Sequence, residues 1–180
     1  MKKVFSSLLC FLLGVFIAHA ADVNWTNFRP GGRTVSVFDI YRDYSGKVWL
    51  GTNTGLYSFD GYRGTHIDYS SMPFYAQVYS IVPDKQADSR REPAFWLGTN
   101  NGVYRYVPSE RRLEAVATAA VPEIRALLLM DRRLLIASLG GLYVYDVENL
   151  RLEGPVAGLP HNAVYSLYAD EAQAPGMIYV

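Results

Sequence analysis

The sequence is poor in the residues that most chemistry depends on. It has one cysteine, Cys10, and three histidines, His19, His66 and His161. A lone thiol excludes a disulfide framework and a Cys-based zinc site, and the body of the chain beyond Cys10 has no thiol nucleophile. The histidines are far apart and lack the i, i+4 spacing of a metal site. An excess of one charge is missing too. With 17 Lys+Arg against 17 Asp+Glu the chain has no bulk electrostatic footprint for nucleic acid. Beyond residue 20 no stretch approaches the ~20 apolar residues of a membrane span. What is plentiful is aromatic and turn chemistry: 14 Tyr, 8 Phe and 3 Trp beside 15 Gly and 9 Pro in 180 residues. Strand formers punctuated by turn residues point to an all-β fold.

The first twenty residues form a separate unit. Lys2 and Lys3 precede a largely apolar run from Val4 to Ile17, and Ala18-His19-Ala20 supplies the small residues a signal peptidase reads. Residues 1–20 are therefore expected to be a signal peptide cleaved after Ala20, and the protein to be exported. A retained anchor is the competing reading, but at 1.5 Å per residue this run covers about 21 Å of a hydrocarbon core about 30 Å thick. Leu9 before Cys10 is not the small residue that lipidation requires. Without Lys2 and Lys3 the chain has 15 basic and 17 acidic residues, a formal charge of −2. That gives no attraction to an anionic membrane surface.

Residues 21–180 repeat one pattern. Trp49-Leu50-Gly51-Thr52-Asn53-Thr54-Gly55-Leu56-Tyr57 returns as Trp96-Leu97-Gly98-Thr99-Asn100-Asn101-Gly102-Val103-Tyr104, and more loosely as Leu135-Ile136-Ala137-Ser138-Leu139-Gly140-Gly141-Leu142-Tyr143. The offsets are 47 and 39 residues. Ahead of each copy an apolar strand runs towards an acid, from Val37 to Asp43, Val78 to Asp84 and Ile124 to Asp131, and again from Val164 to Asp170. A period of roughly 40–47 residues built of short β-type runs is that of a four-stranded propeller blade, and no sustained 3.6-residue periodicity supports helical repeats. In the first unit the expected strands are Val35–Tyr41, Lys47–Gly51, Leu56–Phe59 and Thr65–Tyr69. Gly55, Gly102 and Gly141 share one repeat position, where the turn is expected to need positive φ.

The fold class is thus all-β, with propeller blades of four antiparallel strands. About three and a half blades are expected, near residues 35–69, 78–116 and 124–153, with an incomplete one at 164–180. An open array leaves two blade faces bare. At about 400 Å² of apolar area per face and 25 cal/mol/Å², roughly 10 kcal/mol of burial is forgone at each. Such a loss is large against total stabilities of about 5–15 kcal/mol. The sequence is therefore expected to be the N-terminal piece of a longer protein.

The succession of apolar strand, Asp, turn Gly, Trp-Leu-Gly-Thr, Gly-Leu-Tyr and Phe59-Asp60-Gly61 resembles the regulator-propeller repeats of the periplasmic sensor region of hybrid two-component histidine kinases of Bacteroidetes. Gly158-Leu159-Pro160-His161-Asn162-Ala163-Val164 is similar to the segment that leads into the next blade in that family. The resemblance covers nearly all of residues 24–180. It implies further blades, a membrane-proximal β-sandwich, a transmembrane helix and a kinase core in the parent, with a membrane-anchored homodimer as its assembly. The third unit departs from the pattern, with Leu135 in place of Trp and Ala137-Ser138 in place of Gly-Thr.

No catalytic or metal-binding residue emerges, no cofactor is expected, and no ligand-binding residue can be named. Asp43, Asp84, Asp131 and Asp170 recur in every unit, which suits a turn role better than the paired carboxylates of a glycosidase. Asp43-Tyr44-Ser45-Gly46 has its Gly one residue too far on for the Asp-box of sialidases. Ser138 and Ser166 lack a nucleophile elbow. Asn53 and Asn100 read first as hairpin residues and second as sugar-binding amides. Ligand loops are expected where the second strand of a blade turns into the third and where one blade leads to the next, including Ser70 to Gln77 with Phe74 and Tyr75, and Gly158 to Asn162. Asp84 to Ala94 is expected to be a solvated insertion at the opposite end. Asn24-Trp25-Thr26 matches a glycosylation sequon, of little meaning in a bacterium. These features favour an exported, periplasmic ligand-sensing propeller, responding to glycans and without catalysis. The alternatives are a piece of a propeller lyase or glycosidase, and a half-propeller that binds its remaining blades or a second copy of itself.

Overall fold

The computed structural model describes residues 34–68, 76–84, 94–116, 121, 123–170 and 176–180. The expected signal peptide, the sequon, Phe74, Tyr75 and most of the Asp84–Ala94 insertion lie outside the described residues.

Among the described residues every regular element is a strand. The first sheet holds β1 (Val37–Arg42), β2 (Val48–Thr52), β3 (Gly55–Phe59) and β4 (Gly64–His66). The second holds β5 (Val78–Pro83), β6 (Phe95–Thr99), β7 (Gly102–Val107) and β8 (Arg112–Ala115). The third holds β9 (Ile124–Met130), β10 (Arg133–Ser138), β11 (Gly141–Asp146) and β12 (Arg151–Glu153). In each, neighbours in sequence are antiparallel neighbours in space, which is the blade topology. β13 (Tyr168–Ala169) pairs with β14 (Ile178–Tyr179) in a short last hairpin. The all-β, unclosed series of four-stranded sheets agrees with the reading from the sequence.

Two elements differ in extent. The fourth strand of the first sheet starts at Gly64 and stops at His66, where its pairing with β3 ends at Tyr57. The strand expected from Val164 pairs regularly only over Tyr168–Ala169, because the described partner is only Ile178–Tyr179.

Successive sheets stack face to face, and strand alternation decides which residues meet. Trp49 and Leu56 point from the first sheet onto Val78, Phe95 and Leu97 of the second. Trp96 and Val103 point one sheet further, onto Ile124, Leu134 and Ile136. Leu135, Ala137 and Leu142 repeat the arrangement towards Val164. The repeated Trp is thus the forward contact of a blade: the Trp49 ring lies 5.0 Å from that of Phe95, and the Trp96 ring 6.3 Å from that of Tyr145. The glycine two residues after each Trp has a separate reason. A Cβ on Gly51 would sit 2.7 Å from the carbonyl oxygen of Val78, so the next inner strand approaches too closely for any side chain. In the third unit Ala137 fills that position, fully buried, and packs on Val164.

Candidate functional site

One end of the array is built by the turns between the second and third strands. Thr52 is fully buried; its hydroxyl donates to the Gly55 carbonyl at 2.8 Å and accepts the Thr54 N–H at 3.1 Å. Thr99 does the same with Gly102 at 2.8 Å and Asn101 at 3.0 Å. Ser138 repeats it with Gly141 at 3.0 Å and Gly140 at 3.1 Å, so the departure of the third unit keeps the hydroxyl that the turn uses. The three glycines have φ of 114°, 124° and 133°, conformations that side-chain-bearing residues avoid.

The asparagines of these turns are structural. Asn53 accepts the Ser36 N–H on Oδ1 at 2.9 Å, while its own N–H donates to the Ser36 carbonyl at 3.1 Å. Asn100 makes the same reciprocal pair with Gln77, at 2.7 and 3.2 Å. Leu139 keeps only the backbone half, donating to Glu123 at 3.2 Å. Each inner strand is thereby moored, at its start, to the turn of its own blade.

Just after this mooring each inner strand slips its register. The pairing shifts between Val37 and Asp39 in β1 and between Val78 and Ser80 in β5, and β9 passes from Ile124 to Ala126 opposite adjacent residues of β10. The extra residues are Phe38, Tyr79 and Arg125. They stack on one another across three sheets. The Phe38 and Tyr79 rings lie 4.8 Å apart at 25°, and the Arg125 guanidinium lies 4.6 Å from the Tyr79 ring centre. Arg125 also pairs with Glu123 at 2.7 Å. Beside this stack, Asp39 accepts the Ile81 N–H of the next sheet at 2.6 Å, and Ser80 accepts that of Leu127 at 3.2 Å. The stack is not among the residues expected from the sequence. Its signal was the residue second in each inner strand, where unlike letters, Phe, Tyr and Arg, fill one slot.

The recurring acids lie at the other end. Asp43 is buried; its carboxylate accepts the Ser45 N–H and hydroxyl, the Lys47 N–H and the indole N–H of Trp49. Burial pushes this carboxyl up, but the Ser45 hydroxyl, the Trp49 indole and the two backbone donors outweigh that and hold it below its ordinary value. The Asp84 carboxylate takes the Arg105 Nε at 2.8 Å, and the residues of the turn expected after it lie outside the described ones. Burial of the Arg105 guanidinium lowers its pKa, and Asp84 and Glu114 more than reverse this, leaving it raised. Asp131 occupies a turn at φ 50°. Asp170 is half-buried.

The remaining candidates are separate from one another. His66 sits edge-on to Tyr57 with its Nε2 3.1 Å from the Thr54 carbonyl oxygen, a packing role. His161 and Asn162 line a shallow cavity of about 230 Å³ with Gly141 and Leu159. Ser166 is exposed. Of the Ser70–Gln77 loop only Ala76 and Gln77 are described, and Gln77 accepts the Tyr79 hydroxyl. No three metal-ligating side chains come together among the described residues.

Comparison with known proteins places these features. Residues 31–54 match the two component regulator propeller family. The extracellular domain of the BT4673 system of B. thetaiotaomicron has two solved structures, one described as from a one component and one as from a hybrid two component system. They share 26% and 28% identity with this chain, at TM-scores of 0.69 and 0.67 over 81% and 79% of it. The extracellular domain of the hybrid two component system BT3049 of the same organism has the same fold, at 17% identity and a TM-score of 0.63 over 79% of the chain. This chain spans about a fifth of these domains, 19%, 19% and 21% of their lengths. No curated protein matched the sequence. The family match thus falls on the first repeated unit of this chain, and the described four-stranded sheets share the fold of these extracellular domains.

Proposed function

We propose that the chain is the exported, ligand-sensing propeller portion of a hybrid two-component sensor, that it responds to glycans, and that it does no catalysis itself. The observation that carries this reading is the regulator-propeller match, together with 26–28% identity over about four-fifths of the chain to extracellular domains of such systems. The fate of the acids supports the non-catalytic part. Asp43 accepts hydrogen bonds from its own turn and from Trp49, while Asp84 shares the Arg105 guanidinium with Glu114, an ion-paired arrangement rather than a free acid and base facing a cleft. Export is supported by the leader-like first twenty residues and by the extracellular origin of the similar domains. Exposed Ile40 on the first sheet, and Tyr168 and Met177 near the last hairpin, support a partner made of further blades covering the ends of the array.

The test is a transcriptional reporter in the native host grown on a panel of purified polysaccharides, with and without the gene. Induction by one polysaccharide that vanishes on deletion and returns with the full-length gene is expected. Gene-independent induction across the panel would refute the reading. Release of sugar product by the purified full-length protein would favour a propeller lyase or glycosidase instead.

A further inference from the structure

We propose that Phe38, Tyr79 and Arg125 form a saccharide platform at the moored end of the inner strands, and that it selects uncharged over acidic sugars. This rests on the glycan-sensing reading above. The three side chains occupy one slot of consecutive repeats, and each is the extra residue of a register slip, the device by which a strand re-aims a side chain out of the alternating pattern. Packing within a sheet does not require them there. Phe38 leaves 43% of its surface exposed in spite of its aromatic stack, and the same slot of the fourth unit holds Tyr165, 68% exposed.

The chemistry of the slot is that of sugar recognition. Aromatic rings offer faces and edges to the C–H side of a pyranose, and the polar groups around them are mixed. Gln77 and Glu123 supply acceptors, Arg125 supplies donors, and a sugar hydroxyl is both. The Arg125 guanidinium is held by the ring below it and by Glu123, and the donors it offers are on the quarter of its side chain that faces solvent, 26%, the enclosed Nε not among them. Selectivity follows from charge. The Arg125 cation is matched by Glu123 at 2.7 Å, and half of the Glu123 side chain faces solvent. A carboxylate or sulfate arriving here meets a neutralised cation and an exposed anion.

The test is calorimetric titration of the full-length gene product with neutral gluco-, galacto-, manno- and fructo-oligosaccharides, and with oligogalacturonate and alginate oligomers. A neutral oligosaccharide is expected to bind and the uronates not to. Phe38→Ala should weaken binding about tenfold or more. Phe38→Leu, which keeps apolar bulk, should also weaken it, and its unchanged melting temperature would separate ligand loss from misfolding. Glu123→Gln frees the guanidinium and should raise uronate affinity about fivefold or more. Unchanged affinity in both Phe38 variants would place the site elsewhere and overturn the proposal while sparing the glycan reading. A wild-type preference for uronates would overturn the selectivity. Binding of none of these saccharides would overturn both.

Discussion

Replacing Asp43 by Ala removes an acceptor from four donors at once, and the four do not cost the same. The Ser45 N–H and hydroxyl and the Lys47 N–H lie in a turn near solvent and recover water. The Trp49 indole N–H cannot, since Trp49 is 2% exposed and its Nε1 lies 2.9 Å from Asp43 Oδ2. An orphaned buried donor costs about 1–3 kcal/mol, and loss of the charge-assisted turn bonds adds about 1 kcal/mol, so a total near 3 kcal/mol is expected. Asp43→Asn keeps an oxygen for the turn but sets N–H against N–H at Trp49, for about 2 kcal/mol. Urea unfolding of the full-length protein in a double-mutant cycle with Trp49→Phe measures the coupling. On the Phe background Asp43→Ala should cost less than half as much. Acid should do part of the same work, removing the charge but not the carbonyl oxygen. The folded Asp43 carboxyl titrates below its ordinary value, so its contribution is complete above the unfolded pKa of about 4 and is lost as pH falls through the folded value. The gap between wild type and Asp43→Ala should therefore narrow as pH falls below about 4. Equal losses on Trp and Phe backgrounds, or a wild-type to mutant gap unchanged by acid, would refute the argument.

Gly51→Ala places a methyl 2.7 Å from the Val78 carbonyl oxygen, a backbone atom that cannot rotate aside, and should cost about 2–3 kcal/mol by denaturant unfolding. Gly98→Ala meets side-chain carbons of Ile124 and Leu127 instead, which can shift, and should cost about 1 kcal/mol less. Thr99→Val should lose about 2 kcal/mol in the same assay by orphaning the Gly102 carbonyl and the Asn101 N–H, whereas Thr99→Ser should stay within about 1 kcal/mol, as Ser138 does this work in the third unit. Asp39→Ala should raise the exchange rate of the Ile81 amide in hydrogen-exchange mass spectrometry and leave the Leu127 amide unchanged, because Ser80 holds the latter.

The blades were legible because each depends on a local rule that the sequence states in place. A hydroxyl, a turn and a glycine with positive φ recur three residues apart, and the rule survives Thr to Ser because the hydroxyl is what it uses. The roles of the acids were half legible. Asp43 and Asp84 are the same letter at the same repeat position, but opposite Trp49 stands Ser58 and opposite Trp96 stands Arg105. A guanidinium outcompetes an indole for a carboxylate. Asp84 therefore takes Arg105, and the Trp96 indole N–H is left buried without a partner. The stack of Phe38, Tyr79 and Arg125 was legible only as a slot, the second residue of each inner strand, filled by unlike residues. Simple alternation sends the second residue of a strand to a blade face, and only the register slip, which no turn residue announces, turns it along the row of inner strands.

The same slip ties the stack to the spacing of the blades. Phe38 and Tyr79 are chain neighbours of Asp39 and Ser80, the two side chains that reach across to the backbone of the next inner strand. Whatever rests on two rungs of the stack therefore touches the separation of two sheets where they are hooked together. The series of hooks changes at the third unit, where Ala126 stands in the place of Asp39 and Ser80 and has no group to offer. The contact onward from there is carried by the Val164 N–H on the Ser138 carbonyl at 2.9 Å, and by Ala137 and Leu142 against Val164. Among the described residues two joints are thus fixed by a side-chain hydrogen bond in addition to packing, and the third shows a backbone one. A ligand alters an arrangement only through contacts that differ between its states. Among the described residues the stack lies over the joints that carry a side-chain hook, and the joint that follows it is held by the Val164 N–H and apolar packing.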